Sequence, residues 1–81
     1  MIDIETVFEA IRRERAYQDQ KYGTPEERNL GLGDYVVIME GEIAELRYDI
    51  TRNQFDHATL ELLQVAAVAV AALQQHGVRQ R

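Results

Sequence analysis

The sequence predicts an all-α fold, a three-helix protomer that assembles into an oligomeric helical bundle. Three observations predict it. Apolar residues recur three and four apart in three separate segments, the spacing of amphipathic helices. Three of the five glycines and the only proline cluster between the first two of these segments. The third segment is apolar on every side, in a chain of only 81 residues that has no cysteine to staple it. A chain that short commonly obtains its missing burial by associating with copies of itself.

The first helix is expected from about Asp3 or Glu5 to about Gln20. Ile4, Val7, Phe8 and Ile11 supply its apolar face, and Asp3 is placed to cap it. Beyond Ile11 it turns polar, so its second half faces water or lines something wet. Tyr22 to Gly33, with Gly23, Pro25, Gly31 and Gly33, reads as a connection. Asp34 is a candidate cap for the second helix, which runs to about Asp49 or Ile50. Val36, Met39, Ile43, Leu46 and Ile50 give it a single apolar stripe, expected to be buried. Gly41 interrupts this helix, where glycine costs ~1 kcal/mol relative to alanine. TRNQFDHAT forms the second connection. The third helix starts near Asp56 or Thr59 and ends near His76, with Gly77 as its stop. From Val65 to Leu73 it is hydrophobic all round, which marks a helix buried all round. It is therefore expected at the centre of a homo-oligomeric bundle, where a charge at Ala67 or Ala71 would break the assembly.

Composition narrows the function. The formal net charge of −5 argues against a nucleic-acid-binding surface. The N-terminus is mixed in charge and amphipathic, unlike a signal peptide. The apolar run Val65 to Leu73 is shorter than the ~20 residues that cross a bilayer. The expected setting is cytoplasmic, with no membrane and no nucleic-acid partner.

The residues that suggest chemistry are carboxylates at helical spacing. Glu42 and Glu45 lie three apart on the second helix, and Glu61 and Gln64 three apart on the third. Residues so spaced share a helix face. Ile38, Glu42, Glu45 and Asp49 run together beside the apolar stripe, while Glu40 falls on its other flank with Arg47. His57, Glu61 and Gln64 share a face that Val68 and Ala71 continue. Carboxylates facing each other across a bundle repel unless a cation lies between them. Magnesium takes oxygen ligands and completes its shell with water and phosphate, so the expected cofactor is Mg2+. Glu42 and Glu61 are the principal candidates, with Glu45 and Gln64 assisting. Bound ions of this kind can orient a polyphosphate and lower the pKa of a bound water.

ERAYQDQKYGTP, IMEGEIAEL and ELLQVAAVAVAAL, in that order and at these separations, resemble the MazG-like branch of the all-α nucleoside triphosphate pyrophosphohydrolases. The resemblance runs from about Glu14 to Leu73. It implies a helical dimer or tetramer that uses magnesium. It also implies cleavage of a nucleoside triphosphate between its α- and β-phosphates, giving a monophosphate and pyrophosphate. By that resemblance Glu42 and Glu61 are catalytic metal ligands and Glu45 is the acidic position that follows Glu42. Gln18, Lys21 and Gly23 match a Q-x-x-K-x-G pattern, which implies nucleotide contacts for Gln18, Lys21 and Tyr22, with Arg15 beside them. Lys21 would meet phosphate as a point charge, and Tyr22 could stack on a base.

The match is thinned at three positions. Ile38 and Met39 stand where the family has adjacent glutamates, and Gln64 replaces an aspartate. These departures leave open a nucleotide-binding or sequestering module without turnover, and the all-apolar third helix leaves open a purely structural oligomerisation bundle. The remaining residues have ordinary roles. His57 is expected at the surface or as a cap and His76 at the negative end of the helix dipole. Arg12, Arg13 and Arg15 are expected to pair with Glu9, Glu14 and Asp19. The tyrosines are expected to pack with a wet hydroxyl, and Met39 belongs in the core. No Ser–His–Asp arrangement, phosphate-cradling glycine loop or zinc pattern is present.

Overall fold

A computed structural model describes all 81 residues. The chain is helical throughout: α1 (Ile4–Tyr22), a single-turn α2 (Pro25–Arg28), α3 (Leu32–Thr51) and α4 (Phe55–His76). The three long helices are those the apolar spacing predicts. The added turn, α2, lies in the segment expected to be a plain connection. Its signal is local. Thr24 and Glu27 form a reciprocal capping box, in which the Thr24 amide donates to Glu27 Oε1 (2.9 Å) and the Glu27 amide to Thr24 Oγ1 (3.2 Å). Pro25 occupies the first helical position, where its missing N–H costs nothing.

The ends differ from expectation by a few residues. Asp3 does stand at the N-cap of α1, although its side chain makes no cap bond. α1 continues to Tyr22 and stops at Gly23, whose φ of 97° suits a residue without a Cβ. Gly31, not Asp34, caps α3; Asp34 lies three residues inside and accepts the Gly31 amide at 2.9 Å. α4 begins at Phe55, ahead of Asp56 and Thr59, and Gly77 ends it as expected.

α4 is the axis of the protomer. α3 packs most extensively against it, α1 less so, and α2 touches it. The core is Tyr35, Val68, Ala71 and Ala72, with Leu30, Ile38 and Met39 against it. The Tyr35 hydroxyl donates to Gln75 Oε1 (2.5 Å), and Gln75 Nε2 donates to the Leu30 carbonyl (2.6 Å). His76 Nε2 lies 2.9 Å from the same carbonyl, and its ring meets Tyr35 edge-on. His76 therefore anchors the turn before α3, a role beyond the helix-end charge the sequence suggested.

Two expectations about packing are corrected. The stripe on α3 is not buried as a unit, since Val36, Ile43 and Ile50 are exposed and only Met39 and Leu46 are partly covered. α4 meets the adjacent strip instead, Tyr35, Ile38, Met39 and Glu42, because one neighbouring helix can cover only part of a broad apolar arc. Ala67 and Ala71 are buried within the protomer (0% and 4% exposed). A charge there would disrupt the fold itself rather than an assembly.

The core is small for the chain. Six apolar residues are buried, against eighteen large apolar or aromatic side chains that are exposed. The accessible surface is 6414 Å², where a compact monomer of 9.3 kDa shows about 5,000 Å². The radius of gyration, 13.3 Å, also exceeds the ~11.7 Å of a close-packed domain of this length.

Candidate functional site

α1, α3 and α4 bring a cluster of carboxylates to one side of the α4 axis. Helical spacing turns Glu42 of α3 and Glu61 of α4 into the seam where these two helices pack, and both are partly buried. Glu42 Oε1 and Glu61 Oε2 are buried polar atoms without a hydrogen-bond partner. Such orphaned oxygens are costly, by ~1–3 kcal/mol or more for charged groups.

The electrostatics follow from this placement. Burial, with the charges of Glu61, Glu45 and Glu14, pushes the Glu42 carboxyl from its ordinary value of 4.5 up to about 7. Burial also raises Glu61, helped by the charge of Glu45, by a hydrogen bond with Glu45, and by Asp49; His57 opposes the shift. Carboxylates crowded in this way take up a proton or a cation more readily than isolated ones.

Of the expected metal ligands, Glu42, Glu45 and Glu61 come together, and Gln64 is half-buried one turn along α4 on the face of Glu61. The cluster has three further members. Asp49 and His57 stand on the faces their spacing assigns. The charge of Glu14 on α1 also acts on Glu42, which sequence reasoning missed because helix spacing says nothing about which helices meet.

The donor set suits a hard divalent cation, which prefers carboxylate oxygens. No three of the histidine and acidic side chains converge on a single point at ligand distance. The cluster is thus an open pair of carboxylates with others nearby, and not a closed protein cage. Magnesium tolerates that arrangement because it keeps waters and takes phosphate oxygens.

The basic residues separate into two groups. Arg15 is almost buried, with its side chain 11% exposed. It donates to Gln18 Oε1 (2.8 Å) and is ion-paired with Asp19. Gln18 Nε2 in turn donates to Glu14 Oε2 (3.0 Å). Arg15 and Gln18, expected at the nucleotide, therefore brace one another and hold Glu14 beside the cluster. Arg15 Nε remains buried without a partner. The expected pairing of Arg12 and Arg13 is present, both with Glu9.

Lys21 and Tyr22 stand at the exposed end of α1. Lys21 Nζ lies 5.1 Å and the Arg28 guanidinium 5.6 Å from the Tyr22 ring centre. Cations so placed are attracted by the ring face. Tyr22 thus organises a small positive patch instead of presenting a bare face to a base. Arg28 joins that patch from α2, and the reading of this segment as a loop concealed it. Lys21 is ~10 Å along the helix from Glu14, at 1.5 Å per residue.

No family model matches the chain, and no curated protein and no solved structure is significantly similar to it.

Proposed function

We propose that the protein is a magnesium-dependent nucleoside triphosphate pyrophosphohydrolase. It would cleave the α–β phosphoanhydride to give a monophosphate and pyrophosphate, working as a homodimer or homotetramer. One observation carries the reading: the buried, unpartnered carboxylate oxygens of Glu42 and Glu61 in the α3–α4 seam. The ordered resemblance of three sequence segments supports it.

Glu42 and Glu61 would hold the ion from two different helices, each carboxylate supported by its helix. Bound magnesium would neutralise polyphosphate charge and make a coordinated water more acidic. Glu45, whose charge acts on Glu61, would orient that carboxylate or a water beside it. Gln18 and Arg15 hold Glu14 in place on α1. Lys21 and Arg28, gathered at the Tyr22 ring, offer positive charge for the phosphates.

The test is magnesium-dependent pyrophosphate release across a panel of nucleoside triphosphates, repeated with Glu42→Gln and Glu61→Gln. Loss of release in both variants is expected. Full activity in either variant would remove these residues from the site. The open geometry, with Gln64 in place of an acid, favours one second reading, nucleotide binding without turnover. Calorimetric binding of nucleotide with magnesium, and no product, would establish that reading instead.

A further inference from the structure

All four helices contribute to one small cavity of about 20 Å³, room for a single water-sized particle. Arg15, Gln18 and Arg28 form its polar wall, and Tyr35, Val68 and Ala71 of the core its apolar floor. Gln18 and Tyr35 are buried, and the Arg15 side chain nearly so. The guanidinium of Arg15 has five N–H groups to satisfy. Nη1 donates to Gln18 Oε1 and Nη2 to Asp19, whereas the buried Nε has no acceptor. Donors outnumber free acceptors across the whole lining. Arg15 and Arg28 carry no acceptor atom in their side chains. Gln18 Oε1 already accepts from Arg15, Gln18 Nε2 donates to Glu14, and the Tyr35 hydroxyl donates to Gln75. Charge is equally one-sided. The lining contains two cations and no acid. Asp19 pairs with Arg15, while Arg28 takes part in no ion pair.

We propose that this cavity binds one small monovalent anion, a halide, which is chloride in ordinary salt. Arg15 Nε supplies the buried donor and Arg28 a second positive charge. An acceptor-only particle suits such a lining. A water would also have to place its own two hydrogens, and the side-chain oxygens in the lining are already engaged. The volume of about 20 Å³ admits an atom-sized ligand and excludes phosphate, sulfate and carboxylates. Burying a charge is costly unless it is paired and hydrogen-bonded, and the two guanidinium side chains provide both. The consequence is mechanical. α2 has no buried residue of its own, and the anion joins Arg28 of α2 to Arg15 of α1, fastening the turn to the rest of the protomer. The site lies apart from the carboxylate cluster. It needs neither magnesium nor nucleotide and stands whether or not the protein is a hydrolase.

The test is thermal unfolding of the full chain at fixed pH and sodium concentration, with gluconate replaced stepwise by chloride. Gluconate is too large for the cavity, so a bound halide shows as a saturable rise in Tm. A ligand specific for the folded state, at ten times its dissociation constant, favours folding ~11-fold. That corresponds to a rise of ~5 °C or more for a chain of this size. Arg28→Gln changes an exposed side chain on the α2 turn, keeps the fold, and should lose most of the rise. Arg52→Gln, equally exposed but at the far end of α3, should retain it. A crystal grown in bromide then locates the ion, with an anomalous peak expected beside Arg15 Nε. Three results would overturn the proposal. They are equal Tm in chloride and gluconate, a rise that Arg28→Gln keeps in full, and a cavity peak without anomalous signal, which identifies water.

Discussion

The two sides of α4 are unfinished in opposite ways. One side carries Glu61 beside Glu42, with orphaned carboxylate oxygens and raised pKa values. The other carries Leu62, Ala66, Ala69 and Leu73 against two open apolar grooves. The first lacks positive charge and the second lacks cover. A helix of this kind cannot be explained by stability of the lone protomer, because each side holds groups that a lone protomer would bury or pair. The comparison teaches that ligand and partner surfaces can be read as two kinds of incompleteness, one electrostatic and one hydrophobic.

The largest effect that could break the comparison is on the charged side. Glu61→Gln should lower magnesium-dependent pyrophosphate release by more than ~100-fold, since even groups that only support a ligand cost 10–100-fold when changed. The dimer measured without nucleotide should survive. If the dimer is lost together with activity, the two sides are not independent.

Next comes a contrast between neighbouring alanines. Ala67 is fully buried in the protomer, and Ala67→Asp should cost at least ~3 kcal/mol by burying an unpaired charge. Ala66→Asp, on the uncovered side, should act through dissociation, so its melting temperature should respond to protein concentration far more than that of Ala67→Asp. Similar melting behaviour of the two, independent of concentration, would place both alanines in one environment.

A smaller effect is the pH dependence of stability. Glu42 binds its proton more tightly when folded, with a pKa of about 7 against an ordinary 4.5. Between those values the folded state holds more protons than the unfolded one, so stability must fall as pH rises through that window. Denaturant melts from pH 4.5 to 8 should show this decline, reduced in Glu42→Gln. Magnesium should flatten it, because a bound cation stabilises the ionised carboxylate. A rise in stability across the window would mean that Glu42 is not in this environment.

The smallest concerns Gly41. A Cβ there meets nothing within 4 Å, and its φ is not in the left-handed region. Gly41→Ala should therefore stabilise by ~1 kcal/mol or less, measured as a shift in the denaturation midpoint. Destabilisation would reveal a close neighbour that appears only in the assembly.

Much of the fold was legible in the chain. Apolar spacing located three helices, and Gly23 and Gly77 mark two of their ends because positive φ is open to glycine. Spacing of three and four also put Glu42 with Glu45 and Glu61 with Gln64 on common faces, since that depends only on the pitch of a helix. The single turn α2 was missed although Thr24, Pro25 and Glu27 spell its cap, because glycine and proline counts obscure a four-residue element.

Tertiary structure alone decided which faces meet. An apolar arc wider than one neighbour can cover leaves its buried part undetermined by pattern, so Tyr35, not Val36, entered the core. Packing of separate helices likewise set Glu14 where its charge acts on Glu42, whereas the bonds of Arg15 to Gln18 and Asp19 lie within α1 and follow from helical spacing. The sequence thus determined the helices and the carboxylates they carry, because those follow from local pitch and chemistry. The seam that crowds those carboxylates, and the face left uncovered behind it, depend on how separate helices pack, which no local pattern specifies.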